Sequence, residues 1–247
     1  FDIAKKLNQN IHRFSIEWSR IEPEEGKFDF EAMKHYQRLV KALQDRGIEP
    51  MVTLWHFTNP VWFANKGGWL NRRAPEYFTR YVKYVVDNLK DEVGLWITFN
   101  EAFTIYAGFS YLNGQWPPQH KNIFEYNRVR KNFIKAQQLA YRQIKDIYDI
   151  PQSLSWLTGH MSHNVAVGLV ENNVYSAHGS RWYEKIIGKF YNYQRNLYFW
   201  DKALPYYDFL GLNYYHVDRR VSGSYRLLPK QELMPEMGWE IYPEGLY

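Results

Sequence analysis

Apolar runs of strand length alternate along this chain with longer stretches of helical period. Ile11 to Trp18 reads as a strand. Asp29 then stands at a helix start, with Met33, Tyr36, Val40 and Leu43 spaced to share one face and Gly47 placed to stop it. Ile48 to His56 reads as a second strand, with Pro50 tolerated near its beginning. Pro75 suits the first turn of the next helix, which turns Phe78, Val82, Val85 and Leu89 inward. Leu95 to Asn100 is a third strand and Phe124 to Tyr148 a long helix ending before Pro151. Val165 to Val170 and Asp208 to Tyr214 supply a fourth and a fifth strand. The aromatic-rich stretch from Tyr175 to Tyr207 follows neither period.

Strands separated by helices imply parallel pairing with crossover connections, an α/β fold. A doubly wound sheet with a nucleotide usually carries a glycine-rich phosphate turn after an early strand. Neither G-x-G-x-x-G nor G-x-x-x-x-G-K-[ST] occurs in this sequence. Polar and aromatic residues instead cluster at the strand C-terminal ends: Trp18-Ser19-Arg20, His56-Phe57, Asn100-Glu101 and Asn213-Tyr214-Tyr215. That is the end at which a (β/α)₈ TIM barrel builds its site. At roughly 45 residues per strand–helix unit, a closed barrel of eight needs about 350 residues. The 247 residues therefore account for about five of eight strands, an incomplete barrel expected to form one domain over 1–247. The opening Phe1-Asp2-Ile3-Ala4-Lys5-Lys6-Leu7 suits the tail of a helix, and the sequence reads as an excerpt at both ends.

Composition narrows the chemistry. There is no cysteine, which excludes a thiol nucleophile, a disulfide framework and a cysteine zinc site. Aromatic residues make up 19% and charged residues 23%, which argues against disorder. The net charge of +5 is mild and spread out, so no nucleic-acid partner is expected. No apolar run reaches the roughly 18 residues of a membrane span, so no membrane partner is expected either. With no cysteine and no signal segment, the cytoplasm is the expected compartment.

Among single residues Glu101 is the sharpest candidate. It follows an apolar strand beside Asn100, where a Trp-rich pocket disfavours the ionised carboxyl and suits a general acid. The competing reading is a strand-end glutamate that caps the next helix. Arg13 can hold a carboxylate ionised through a charge-assisted bond, or form a structural pair with Glu17 or Glu22. His56 can bind a sugar hydroxyl or be a satisfied core histidine. His160 and His163 lack a carboxylate at helical spacing, so no metal site and no cofactor are expected. No G-x-S-x-G elbow is present for a serine hydrolase. Tyr and Trp rings present flat apolar faces with one polar handle, matching the apolar faces of sugar rings; most are expected in the core and a few along a cleft.

Several segments together resemble family 1 of the glycoside hydrolases. They are Phe14-Ser15-Ile16-Glu17-Trp18-Ser19-Arg20-Ile21, Thr53-Leu54-Trp55-His56-Phe57, Gly67-Gly68-Trp69-Leu70, Trp96-Ile97-Thr98-Phe99-Asn100-Glu101, Gly114-Gln115-Trp116-Pro117-Pro118, Asp208-Phe209-Leu210-Gly211-Leu212-Asn213-Tyr214-Tyr215 and Met237-Gly238-Trp239-Glu240-Ile241-Tyr242-Pro243-Glu244-Gly245. The resemblance covers barrel strands two to six. It implies a (β/α)₈ enzyme that hydrolyses β-glycosides with retention, acting on a small β-glycoside or oligosaccharide. Position by position, it implies Glu101 as the acid/base carboxylate and Asn100 as the partner of the sugar 2-hydroxyl. It implies His56 as a sugar contact, Arg13 and Tyr215 as supports of the nucleophile, Asn213 as a neighbour of the site and Asn172 as a residue towards the aglycone.

The sequence departs from the family in three places. Ala102 stands where proline is usual, and Phe57 where tryptophan is common. The T-E-N-G-like motif that carries the family nucleophile does not occur. Glu240 and Glu244 are expected to be structural. Retention needs two carboxyls about 5–5.5 Å apart, so these 247 residues alone are expected to be nearly inactive. The other open reading is a non-catalytic partial barrel that binds a carbohydrate or another flat ligand. Open strand edges also make homo-oligomerisation an expectation.

Overall fold

A computed structural model describes residues 1–148, 165–176, 181–218, 239 and 241–246. Its strands are β1 (Ile11–Ser15), β2 (Glu49–Trp55), β3 (Leu95–Asn100), β4 (Ala166–Ser176) and β5 (Phe209–Asp218). The longer helices are α1 (Phe30–Gln44), α2 (Ala74–Asp87), α3 (Ile123–Ile147) and α4 (Trp182–Asn192). The sheet order is β1-β2-β3-β4-β5, with parallel pairing from β1 through β4. Sequential order of parallel strands is the barrel arrangement expected from the strand–helix alternation.

The chain divides into two compact units, Phe1–Val170 with Ala203–Gly211, and Glu171–Lys202 with Leu212–Tyr247. In the first unit each helix forms for a local reason. The Asp29 carboxylate accepts from Ala32 N at 2.9 Å and caps α1, which buries Met33, Tyr36, Val40 and Leu43. Beyond it Gly47 has φ +65°, a left-handed conformation that glycine adopts without strain. Asn122 caps α3 through Phe124 N at 2.9 Å. Between β2 and β3, α2 buries Phe78, Tyr81, Val82, Val85 and Val86.

The helices close on an aromatic core. Trp69 and Phe133 lie 4.2 Å apart, Phe78 and Phe99 stack at 4.6 Å, and Trp18 stacks on Tyr81 at 5.3 Å. Trp18, Trp55, Trp69 and Trp96 are fully buried, as expected for most of the aromatics. Two glycines let β4 and β5 approach. A Cβ at Gly168 would collide with the Phe209 ring, and one at Gly211 with the Val170 side chain.

Several strand boundaries differ from the apolar pattern, among them the end of β5, which runs on from Tyr214 to Asp218. β1 stops at Ser15, because the Glu17 carboxylate accepts from Ser19 N at 3.1 Å and starts the helical turn Trp18–Ile21. β2 ends at Trp55, so His56 sits just past the strand. In the second unit β4 runs on to Ser176, so Asn172 lies inside a strand and not after one. Its extension is held by Asn196, which donates to Val174 O at 2.8 Å and accepts from Val174 N at 3.1 Å. The unassigned stretch contains α4, the π-helical turn Tyr193–Leu197 and the short helix Tyr198–Ala203. His160, His163, Glu240 and most of the Met237–Gly245 segment's beginning lie outside the described residues. Glu244 is exposed in the 3₁₀ turn Pro243–Leu246.

Candidate active site

The site is set by an irregularity in β3. Trp96 donates to Tyr148 OH at 3.1 Å and Thr98 bonds Gln137, both toward α3. Strict alternation would send Asn100 the same way. Phe99, however, also faces the helices, packing on Phe78 and Phe133. Two successive residues on one face mark a bulge, and the β3–β4 register shifts between Ile97 and Asn100. Asn100 is thereby turned to the opposite face, towards β1 and β2.

There it joins a continuous chain of hydrogen bonds. Arg13 Nε donates to Thr53 Oγ1 at 2.8 Å, and Arg13 Nη2 donates to Asn100 Oδ1 at 2.6 Å. Asn100 Nδ2 lies 3.2 Å from His56 Nε2, and His56 Nδ1 lies 3.0 Å from Ser15 Oγ. Burial, and then the Arg13 charge, push His56 below its ordinary value. Of the two carboxylates weighed as Arg13 partners, Glu22 is buried and paired with Arg80, Trp18 Nε1 and Gly26 N. Glu17 accepts from Ser19 and Thr58.

Glu101 follows directly at the C-terminal end of β3 and is only 7% exposed. Its backbone is left-handed, φ +50° and ψ +32°, which strains a residue with a Cβ. Three backbone bonds hold it: Glu101 N to Val170 O at 2.7 Å, and Ile105 N and Tyr106 N to Glu101 O at 3.2 and 3.0 Å. Two π-helical turns follow, Ala102–Tyr106 and Gly108–Leu112. Such turns are rare and recur at functional sites. Ala102 is fully buried in the first of them.

Asn59 ties this turn to the loop after β2. Its Oδ1 accepts from Trp55 Nε1 at 3.0 Å and Trp69 Nε1 at 3.2 Å, and its Nδ2 donates to Tyr106 OH at 3.0 Å. Burial raises the Tyr106 phenol. Phe57, also left-handed at φ +75°, sets its ring 5.0 Å from Trp116, which lies 5.2 Å from Phe109. These three rings are half-buried.

The structure thus brings Arg13, His56, Asn100 and Glu101 together in the first unit. The second unit holds the other three candidates. Asn172 is buried and bonded to the Arg195 guanidinium through both its side-chain and backbone oxygens. Tyr215 is 51% exposed, its ring 5.4 Å from Trp239, and Asn213 is half-buried on β5. Thr53, Ser15 and Asn59 were not singled out by the sequence. Thr53 and Ser15 do stand in register on adjacent strands, a signal visible only once pairing is known. Among the described residues no group of three His, Asp or Glu is placed to hold a metal ion, and no helix is long and apolar enough to cross a membrane.

The site thus sets a carboxyl at the end of a parallel strand, beside an amide–imidazole–guanidinium chain and half-buried rings. The model of glycosyl hydrolase family 1 matches residues 1–247, and the chain belongs to that family. It is 30% identical to Beta-glucosidase A of Thermotoga maritima over 286 residues, covering 100% of this chain and 60% of that protein. It is 28% identical to the chloroplastic galactolipid galactosyltransferase SFR2 of Arabidopsis thaliana, covering 99% of this chain and 40% of that one. Among solved structures, a beta-glycosidase from Pyrococcus horikoshii aligns with a TM-score of 0.82 at 30% identity, over 99% of this chain and 59% of the other. The chain spans between two and three fifths of the length of these relatives. Its five strands are part of the family's (β/α)₈ barrel, as the strand spacing implied.

Proposed function

We propose that the protein to which this chain belongs hydrolyses β-glycosidic bonds with retention, using Glu101 as general acid and then general base. The observation that carries this reading is Glu101 itself: buried, strained into a left-handed turn at a strand end, and next to Asn100 in the polar chain. In the first step the Glu101 carboxyl gives its proton to the glycosidic oxygen as that bond breaks, while a second carboxylate bonds the anomeric carbon. In the second, the Glu101 carboxylate takes a proton from water, which releases the sugar and restores both groups.

Other residues take supporting roles in this reading. Asn100 and His56 hold sugar hydroxyls, and Arg13 and Tyr215 keep the second carboxylate ionised. Asn213 neighbours the sugar, and Asn172 lies towards the aglycone side. The half-buried rings of Phe57, Trp116 and Phe109 suit the apolar face of a sugar. The substrate is a small β-glycoside or oligosaccharide, the 247 residues form part of one catalytic domain, and the cytoplasm is the compartment. The second carboxylate comes from another part of the protein, so the isolated 247 residues turn over little or nothing.

Glu101→Gln in the intact protein tests the proposal. Turnover of an alkyl β-glycoside, whose leaving group needs a proton, should fall by about 10²–10⁴-fold. Formation of the glycosyl-enzyme from a dinitrophenyl glycoside, whose leaving group does not, should fall far less. Equal losses on both would refute the acid role. Sugar binding without turnover in either wild type or variant would favour a carbohydrate-binding barrel.

A further inference from the structure

The hydrogen-bond chain around His56 has a direction, and one residue sets it. A guanidinium only donates. Asn100 must therefore present its carbonyl oxygen to Arg13 Nη2, at 2.6 Å. That leaves the Asn100 amide nitrogen, a donor, facing His56 Nε2 at 3.2 Å. Nε2 must then be the ring's unprotonated nitrogen, because an N–H there would point at another N–H. The ring proton is left on Nδ1, which faces Ser15 Oγ at 3.0 Å. Thr53 anchors the start of the chain by accepting from Arg13 Nε at 2.8 Å.

We propose that Arg13 is a positioning residue that, through Asn100, locks His56 as the neutral, Nδ1-protonated tautomer, so that Nε2 meets its partners as an acceptor. The tautomer of a histidine is fixed by what its other nitrogen bonds. Here the amide that Arg13 orients makes Nε2 the acceptor, and the Ser15 hydroxyl, which can donate or accept, takes the proton left on Nδ1. A histidine free in water prefers the opposite tautomer, so the lock reverses the intrinsic preference at a ring that is partly open to solvent. Burial and the Arg13 charge, which both disfavour the imidazolium, act in the same direction.

The consequence for ligands rests on the glycoside reading. A sugar hydroxyl that displaces the 3.2 Å contact between Asn100 Nδ2 and His56 Nε2 meets a donor on one side and an acceptor on the other. A hydroxyl can answer both, and an ether or fluorine cannot. The tautomer is measurable without any sugar, so the lock and the glycosidase reading fail separately.

The experiment is a long-range ¹⁵N–¹H correlation spectrum of the ligand-free intact protein carrying ¹⁵N-labelled histidine, recorded at neutral pH. His56 is assigned by the cross-peaks that vanish in His56→Gln. The lock requires a pyrrole-type Nδ1 and a pyridine-type Nε2, without averaging. Arg13→Met, which removes the donor that orients Asn100, should let the carboxamide turn and shift the ratio towards the Nε2–H form by about fivefold, the equilibrium equivalent of one hydrogen bond of ordinary net strength. Arg13→Lys, which keeps a donor, should restore it, and Ser15→Ala should leave Nε2 unprotonated, since a hydroxyl serves either tautomer. An Nε2-protonated His56 in the wild-type spectrum overturns the proposal even if every variant fails to fold. A ratio unmoved by Arg13→Met overturns the part assigned to arginine.

Discussion

His56 is neutral at neutral pH in the fold, and this has a thermodynamic signature. Its folded pKa lies below the ordinary 6.5, through burial first and the Arg13 charge second. Between the folded value and 6.5 the unfolded chain holds more protons, so stability rises with pH through that window. The contribution is present above 6.5 and is lost as pH falls through the folded value. Urea midpoints measured at pH 7.5 and 5.5 should therefore separate more for wild type than for His56→Gln. At this scale the sequence exposed the charged and aromatic-flanked residues: Arg13, Asn100 and His56 form one hydrogen-bonded chain, and Glu101 follows Asn100, buried at the strand end. It did not expose Ser15, Thr53 or Asn59. They are small and uncharged, and their roles arise from strand register and from the exact direction of an amide, neither of which composition encodes.

Among the elements, the closeness of β4 and β5 depends on glycine. Gly168→Ala forces the Phe209 ring to move, and should lower stability by about 1–3 kcal/mol, as overpacking does. Chemical denaturation would read this as a lower midpoint at unchanged slope. Phe133, on α3, touches Trp69, Trp55, Phe99 and Tyr106. Phe133→Ala should cost about 3–5 kcal/mol by the same measurement. The existence of the five strands and of α1, α2 and α3 was legible, because each has a sustained apolar period. Their ends were less so. β1 stops early because Glu17 bonds its own neighbourhood, and β4 continues because Asn196 completes its backbone. Such side-chain-to-backbone bonds leave little trace in a hydrophobic pattern. The π-helical turns after Glu101 left none.

For the whole molecule, the barrel class was readable from strand spacing and from the polar clusters at strand ends. The region after Tyr175 was not, since α4 exposes Trp182, Ile186 and Phe190 and so shows no conventional inward face. β1 stands at one end of the sheet order, with Ile11 exposed. Edge strands present unpaired backbone groups that other chains can pair with. The isolated 247-residue chain should accordingly sediment as more than a monomer, and Ile11→Lys should shift it towards the monomer in analytical ultracentrifugation. A monodisperse wild-type monomer would count against association through this edge.

The extra residue in β3 makes this end of the molecule vulnerable in an unusual way. Ironing the segment Ile97–Asn100 into strict alternation at unchanged length would swing the carboxamide outward to the helical layer. Every side chain of the proposed site would still be encoded, yet the carboxamide would be disconnected from the guanidinium. Shortening the segment by one residue would instead remove the irregularity and leave the carboxamide facing β1 and β2.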